Sequence, residues 1–164
     1  MFLGVRITQA QETITLDQRT YCGAILTRYS QYIGMRNYTD VPLARDAHTI
    51  YMQQELSSKQ QRFCSGYPYT EIVGALMYRC VLTRPDIAYA VGTLTRHMAN
   101  PTYAACKACS RVLNYLHTFP GLGIRFEAGP LQLHAYTDSD WAACLRTRRS
   151  VSGNVVLMAG GPVA

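Results

Sequence analysis

The stretch LQLHAYTDSDWAACLRTRRSVSGNVVLMAGG, residues 131–161, decides the fold, because the period of the hydrophobic pattern changes as the chain approaches it. Leu131, Leu133, Ala135 and Thr137 alternate with Gln132, His134, Tyr136 and Asp138, the two-residue repeat of a β-strand. SGNVVLMAGG is a second short strand, and the turn between the two carries Arg146, Arg148 and Arg149. Asp138 and Asp140 stand one residue apart at the end of the first strand. Such a pair has two readings: metal-binding carboxylates, or turn side chains that accept hydrogen bonds from backbone N–H groups. Asp140 joins Asp138 on one face only if the strand continues through both residues. The three arginines can meet phosphates or stand solvated at a hairpin tip.

Upstream of about residue 122 the period is helical. TYAACKACSRVLNYLHTFPG (102–121) places Ala105, Cys109, Val112, Leu113 and Leu116 on one face and stops at Pro120-Gly121. Lys107 and Arg111 are four apart and share a face of that helix, either a stripe for a nucleic-acid backbone or a solvated surface. TRPDIAYAVGTLTRHMANP (83–101) spaces Ile87, Val91, Leu94 and Met98 by four, three and four, with Pro85 at a first helical position. YTEIVGALMYRCV (69–81) gives a stripe of Ile72, Val73, Leu76, Met77 and Cys80. Residues 44–66 are polar and weakly periodic and read as a long connection with at most one helical turn. LDQRTYCGAILTRYSQYIG (16–34) reads as a helix with Asp17 as its N-cap and Gly34 as its stop. At the start, FLGVRIT and TITL form a hairpin, with Leu3, Val5 and Ile7 expected on a buried face. LGIRFEAG (122–129) is a further strand or strand-like arm. The expected architecture is α/β: hairpin, helical bundle, then the beginning of a sheet, with no internal repeat.

The chain has 164 residues and is 48% hydrophobic, enough for a packed core. No run of 18 apolar residues exists, so no helix is expected to span a membrane. The N-terminus lacks the charged start and apolar stretch of a signal peptide, which favours an intracellular protein. Six cysteines include a single C-x-x-C, Cys106–Cys109, inside a helical run, so buried thiols are expected rather than zinc. The net charge is +6, and the sequence pI is about 9.1. Fourteen of the sixteen cations are arginine, whose fork suits phosphate. The histidines, His48, His97, His117 and His134, lack metal-ligand spacing. Met35, Met77 and Met98 read as core fillers, and Trp141 as a packing residue.

FLGVRI, YCGAILTRY, VPLA, EIVGALMYRCVLTRPDIAYAVGTLTRHMANP, RVLNYL, LHAYTDSDWAACLRTRRSVSG and GGPV occur in this order. Together they resemble the copia-type retrotransposon polyprotein, over nearly the whole chain. The resemblance implies three segments: residues 1–16 as the end of a polymerase palm, 17–120 as a thumb-like helical region, and 121–164 as the first strands of a truncated RNase H-like sheet. For the parent it implies RNA-directed DNA synthesis and degradation of RNA–DNA hybrids, with Mg²⁺ as cofactor. Its partners would be hybrid or duplex nucleic acid and the remainder of the polyprotein, with no membrane. Asp138 matches the family's first RNase H carboxylate, and Asp140 is a weaker second metal ligand. Arg146, Arg148, Arg149, Lys107 and Arg111 would meet nucleic acid. The polymerase carboxylates would lie upstream of this chain, and residues 141–164 contain no Asp or Glu. The chain departs from the family at Ala105-Cys106 for His-Trp, at Ser110 and Asn114 for cations, and at Ala143-Cys144 for glycine and an acid. It is therefore expected to lack catalytic competence alone. A residual nucleic-acid-binding module and an inert remnant are the alternatives.

Overall fold

The computed structural model describes residues 1–34, 38–44, 50, 56–142, 144 and 147–164. The chain is mixed α/β, with five α-helices and two three-stranded antiparallel sheets among those residues. It divides into two compact units, Gln18–Leu122 and the pair Met1–Asp17 with Gly123–Ala164.

The first unit is helical: α1 (Arg19–Arg28), α2 (Ser58–Ser65), α3 (Tyr69–Leu82), α4 (Ala88–Thr95) and α5 (Tyr103–Thr118). The main apolar core lies inside it. Cys22 and Ile25 of α1, Ile72, Val73 and Leu76 of α3, Val91 and Leu94 of α4, and Val112, Leu113 and Leu116 of α5 are all buried. The expected stripes on α4 and α5 are therefore present. On α3 the stripe is different: Met77 is exposed, and the buried position below Leu76 is Arg79. Met98 is partly buried against the core, and Met35 lies outside the described residues.

α2 falls in the segment 44–66, where a long connection with at most one helical turn was expected. Ser57 accepts from the Gln60 backbone N–H, and the Gln60 side chain accepts from the Ser57 N–H, a reciprocal cap that starts the helix. The S-x-x-Q spacing was visible in the sequence, but the polarity of the helix hid it. Asp17 is not the N-cap of α1. The cap position is Gln18, whose side chain makes no capping bond, and α1 ends at Arg28 rather than near Gly34.

Two arginines at the end of α3 close the bundle. Arg79 donates to the Gln18 carbonyl (3.0 Å) and the Pro120 carbonyl (3.1 Å). Arg84 donates from Nε to Asp86 Oδ1 (2.7 Å), from Nη2 to Asp86 Oδ2 (2.7 Å) and from Nη1 to the Phe119 carbonyl (2.8 Å). Its guanidinium lies 5.3 Å from the Tyr115 ring centroid, and the Tyr115 hydroxyl donates to Asp86 Oδ2 (2.9 Å). Thr83 donates to the Gln18 side-chain oxygen (2.9 Å). Pro85 opens the 3-10 turn Pro85–Ile87 that leads into α4, as its fixed φ favours.

The second unit holds both sheets. β1 (Arg6–Gln9), β2 (Thr13–Asp17) and β3 (Ile124–Glu127) form one, in the order β1-β2-β3. The N-terminal hairpin is present, but β1 is exposed throughout, Ile7 included; ahead of it Leu3 is exposed and Val5 half-buried, so the expected buried face is absent. Phe2 and Val5 close a tight turn ahead of it. Arg6 and Asp17 face each other across the ladder and pair at 2.8 Å. β4 (Leu133–Asp140), β5 (Val151–Met158) and β6 (Gly161–Pro162) form the other sheet, in the order β4-β5-β6. The sheets meet where the Glu127 N–H donates to the Ala159 carbonyl (2.8 Å). Gly161 allows the approach there, because a Cβ would sit 2.7 Å from the Phe126 ring.

Burial opposes the charge on Asp86, but the Arg84 guanidinium and the Tyr115 hydroxyl outweigh it and hold the carboxyl below its ordinary 3.8. A depressed folded-state pKa stabilises fully above the unfolded value and is lost as pH falls through the folded one. Asp86→Asn should therefore destabilise the helical unit by about 2 kcal/mol at neutral pH, less than a wholly buried pair because Asp86 is one-third exposed. Urea melts followed by helical circular dichroism should show the gap between the two proteins closing as pH drops below about 4.

Candidate catalytic and nucleic-acid-binding residues

β4 runs without interruption through Asp138 and Asp140, so the condition for a shared face is met. The two carboxylates lie on one side of the strand with His134 and Tyr136. Across the ladder, Asp138 faces Gly153, Asp140 faces Val151 and Tyr136 faces Val155. All eight residues of β4 are exposed. Asp138 Oδ1 accepts the backbone N–H of Ser139 (2.9 Å), so the backbone-bonding role open to a turn aspartate is also present.

A pair of divalent ions needs several carboxylates around it. Here two lie on one strand, and among the described residues no three His, Cys, Asp or Glu side chains gather as a metal group. These residues therefore do not fit a two-ion site.

The connection from β4 to β5 places Arg148 and Arg149 in solvent. Arg148 has φ +54°, and its N–H donates to the Cys144 carbonyl (2.7 Å), while the Cys144 N–H donates to the Arg149 carbonyl (3.1 Å). Arg146 lies outside the described residues. Trp141 does not pack: it is 89% exposed at the end of β4, while Ala142 and Cys144 are buried beside it. Packing was expected because Trp141 directly follows the aspartates, but at this strand end the sheet offers the ring no core to enter.

Lys107 and Arg111 share the outward face of α5, as their spacing requires. They line an open cavity of about 770 Å³ with Tyr38, Phe63, Tyr103 and Asn114. Lys107 is exposed, and Arg111 is half-buried with its Nε donating to the Val41 carbonyl (3.3 Å). Ser110 and Asn114, on the same helix, are buried and used internally. Ser110 Oγ lies 3.0 Å from the Tyr67 hydroxyl, and Asn114 Oδ1 accepts the Gly34 N–H (2.9 Å). Cys22, Cys106, Cys109 and Cys144 are buried free thiols, and burial pushes Cys106 and Cys109 up to about 12, far from a reactive thiolate. His97 is buried, His117 and His134 are exposed, and His48 lies outside the described residues. No described helix is long and apolar enough to cross a membrane.

Over 166 residues, 99% of this chain, it is 31% identical to the retrovirus-related Pol polyprotein from transposon TNT 1-94 of Nicotiana tabacum. Over 164 residues, again 99%, it is 32% identical to the retrovirus-related Pol polyprotein from transposon RE1 of Arabidopsis thaliana. The chain belongs to the retrotransposon Pol polyprotein family. It spans about a tenth of these relatives, 12% and 11% of their respective lengths. The retrotransposon-derived chain is also similar to the secreted RxLR effector protein 161 of Plasmopara viticola, with 43% identity over 98 residues, 59% of this chain and 69% of that protein. No family model matches the chain, and no solved structure matches it.

Trp141 is the only tryptophan, so its emission reports this strand end alone. At dilute concentration the emission should be red-shifted like that of solvated indole and freely quenched by acrylamide. A blue-shifted, protected emission would place the ring in a core instead.

Proposed function

We propose that this retrotransposon chain is the copia-type segment running from the end of the reverse transcriptase palm (1–16) through a thumb-like region (17–120) to the opening strands of an RNase H-like domain (121–164). In this reading it is not a catalyst by itself. It is a nucleic-acid-contacting piece of an enzyme that copies RNA and degrades RNA–DNA hybrids. The observation that carries the reading is the alignment with Pol polyproteins along 99% of the chain. The strand through Asp138 and Asp140 agrees with it, because an RNase H-type site would present its first carboxylate from such a strand. Mg²⁺ would be the cofactor of the parent, and no step is assigned to it here, since two aspartates fall short of a two-ion site.

Nucleic-acid contact rests on Lys107 of α5 and on Arg148 and Arg149 of the β4–β5 connection, which are exposed, and on Arg111 of α5, which is half-buried and offers phosphate only the part of its guanidinium not bonded to the Val41 carbonyl. Arg146 belongs to the same proposal by sequence. Each phosphate neutralised releases counterions, so affinity falls with salt in proportion to the contacts made. Among the alternatives, an inert remnant predicts no affinity at all.

Binding of a fluorescent RNA–DNA hybrid should weaken linearly on a log–log salt plot. Replacing Lys107→Gln together with Arg111→Gln should reduce the slope by about 2. An absence of binding at low salt would remove the nucleic-acid role and leave the inert reading.

With Mg²⁺ present, the purified chain should leave the hybrid intact. Hybrid cleavage that disappears in Asp138→Asn would overturn the non-catalytic reading and make Asp138 a metal ligand of a working site.

A further inference from the structure

We propose that Cys64 and Cys106 are a redox pair: a peroxide oxidises Cys64, and Cys106 then closes a disulfide that pins α2 to α5. The packing of the two helices sets both residues at one level. On one side of that level the Phe63 and Tyr103 rings meet edge to face, with centroids 5.7 Å apart. On the other side the Tyr67 hydroxyl lies 3.0 Å from Ser110 Oγ. Cys64 falls between Phe63 and Tyr67 in the chain. Cys106 comes three residues after Tyr103 and four before Ser110, so it shares their face of α5. Both cysteines belong to the same apolar cluster, and both are free thiols. Burial is the main cause that pushes the Cys106 thiol up, and Cys64 is the neighbour that adds most, by its charge and by a side-chain hydrogen bond.

The burial of the thiols assigns their roles. Cys64 is half-buried and open to the oxidant, whereas Cys106 has no exposed surface. The Cys64 sulfur takes an oxygen atom from hydrogen peroxide, which leaves a sulfenic acid and one water. The Cys106 sulfur attacks that sulfur, the S–O bond breaks, and the hydroxyl leaves with the Cys106 proton as a second water. The two thiols together lose two electrons, and one peroxide becomes two waters. Cys109, one turn further along α5, has no exposed surface either and lies beside the Tyr67 hydroxyl, which hydrogen-bonds to it.

The bond would close a loop that holds α3 and α4, and so restrict the unfolded chain. Phe63 on α2 and Tyr103 on α5 both line the open cavity beside Lys107, so oxidation would also tie one wall of that cavity to the other. In a reducing compartment such a bond is transient, as redox-sensing disulfides are. The inference does not depend on the proposed nucleic-acid role, since it concerns two thiols rather than the cations.

The full chain, treated at dilute concentration with hydrogen peroxide and digested with trypsin without reduction, identifies the bond by mass. Cleavage after Arg62, Arg79, Arg96, Lys107 and Arg111 puts Cys64 on peptide 63–79, Cys106 on 97–107 and Cys109 on 108–111. Peptides 63–79 and 97–107 should appear joined, and dithiothreitol should separate them. The midpoint of the helical circular dichroism melt should rise by roughly 5 °C or more on oxidation and fall back on reduction. Cys64→Ser, at the half-buried position, should abolish both changes. In Cys106→Ser, dimedone should label Cys64 as the stranded sulfenic acid. A bond mapped to peptide 108–111, a bond between two chains, no joined peptides after peroxide, or a melt indifferent to oxidation would each overturn the proposal.

Discussion

A guanidinium with almost no access to water governs the helical unit. Removing such a charge from solvent is unfavourable by several kcal/mol unless hydrogen bonds and an opposite charge surround it. Arg84 finds both at once: the two oxygens of Asp86, the Phe119 carbonyl at the end of α5, and the face of Tyr115. Because these partners come from the 3-10 turn and from α5, the charge is satisfied only when α3, α4 and α5 are in their native arrangement. Arg79, one turn earlier, repeats the device toward the Gln18 and Pro120 carbonyls, where the unit begins and ends. The apolar stripes bring the helices together without direction. The arginines supply the geometry that selects one packing.

The sheet unit has no comparable centre. Its strands are short, β1 and β4 are exposed on both faces, and among its described residues only Asp17, Ala142, Cys144 and Gly161 are buried. This has a direct chemical consequence. Electrostatic catalysis relies on carboxylates held rigidly in a site from which water is excluded. Asp138 and Asp140 sit in solvent on an edge strand, with only a neighbouring backbone N–H to hold one of them.

Periodicity made the larger elements legible. The change from a period of 3.6 to a period of 2 near residue 122 separates α5 from the strands, and the stripes of α4 and α5 gave their buried residues. What periodicity could not give was anything whose burial depends on a partner far away in sequence. Periodicity gives no sign that Arg79 and Arg84 are buried until Pro120, Phe119 and Asp86 are placed around them. Asp17 looked like a cap because local chemistry favours that role, yet Arg6 across the hairpin claims it. α2 was hidden because its polar sequence lacks a stripe, although its capping box was in plain view. At the candidate site, the pairing of Asp138 with Asp140 on one face was readable as a condition. Their exposure, and that of Trp141, was not, since it depends on what the sheet lacks on its other sides.

TRPDIAYAV, one of the blocks that carry the resemblance, bears on what membership means. Thr83, Arg84, Pro85 and Asp86 all have structural tasks here: a bond to Gln18, the buried charge, the turn into α4 and the counter-ion. None of them needs a substrate. A substitution at Asp86 would strand a buried cation, so the block is held by folding regardless of chemistry. Lys107 of α5 and the aspartates of β4 face solvent and have no such packing task. Ser110 and Asn114 illustrate the other side of this: both are polar positions on α5 now committed to Tyr67 and the Gly34 N–H, where a long cation would have to break an internal bond. Residues committed to folding thus say nothing about activity, which has to be argued separately, from β4 and the outer face of α5.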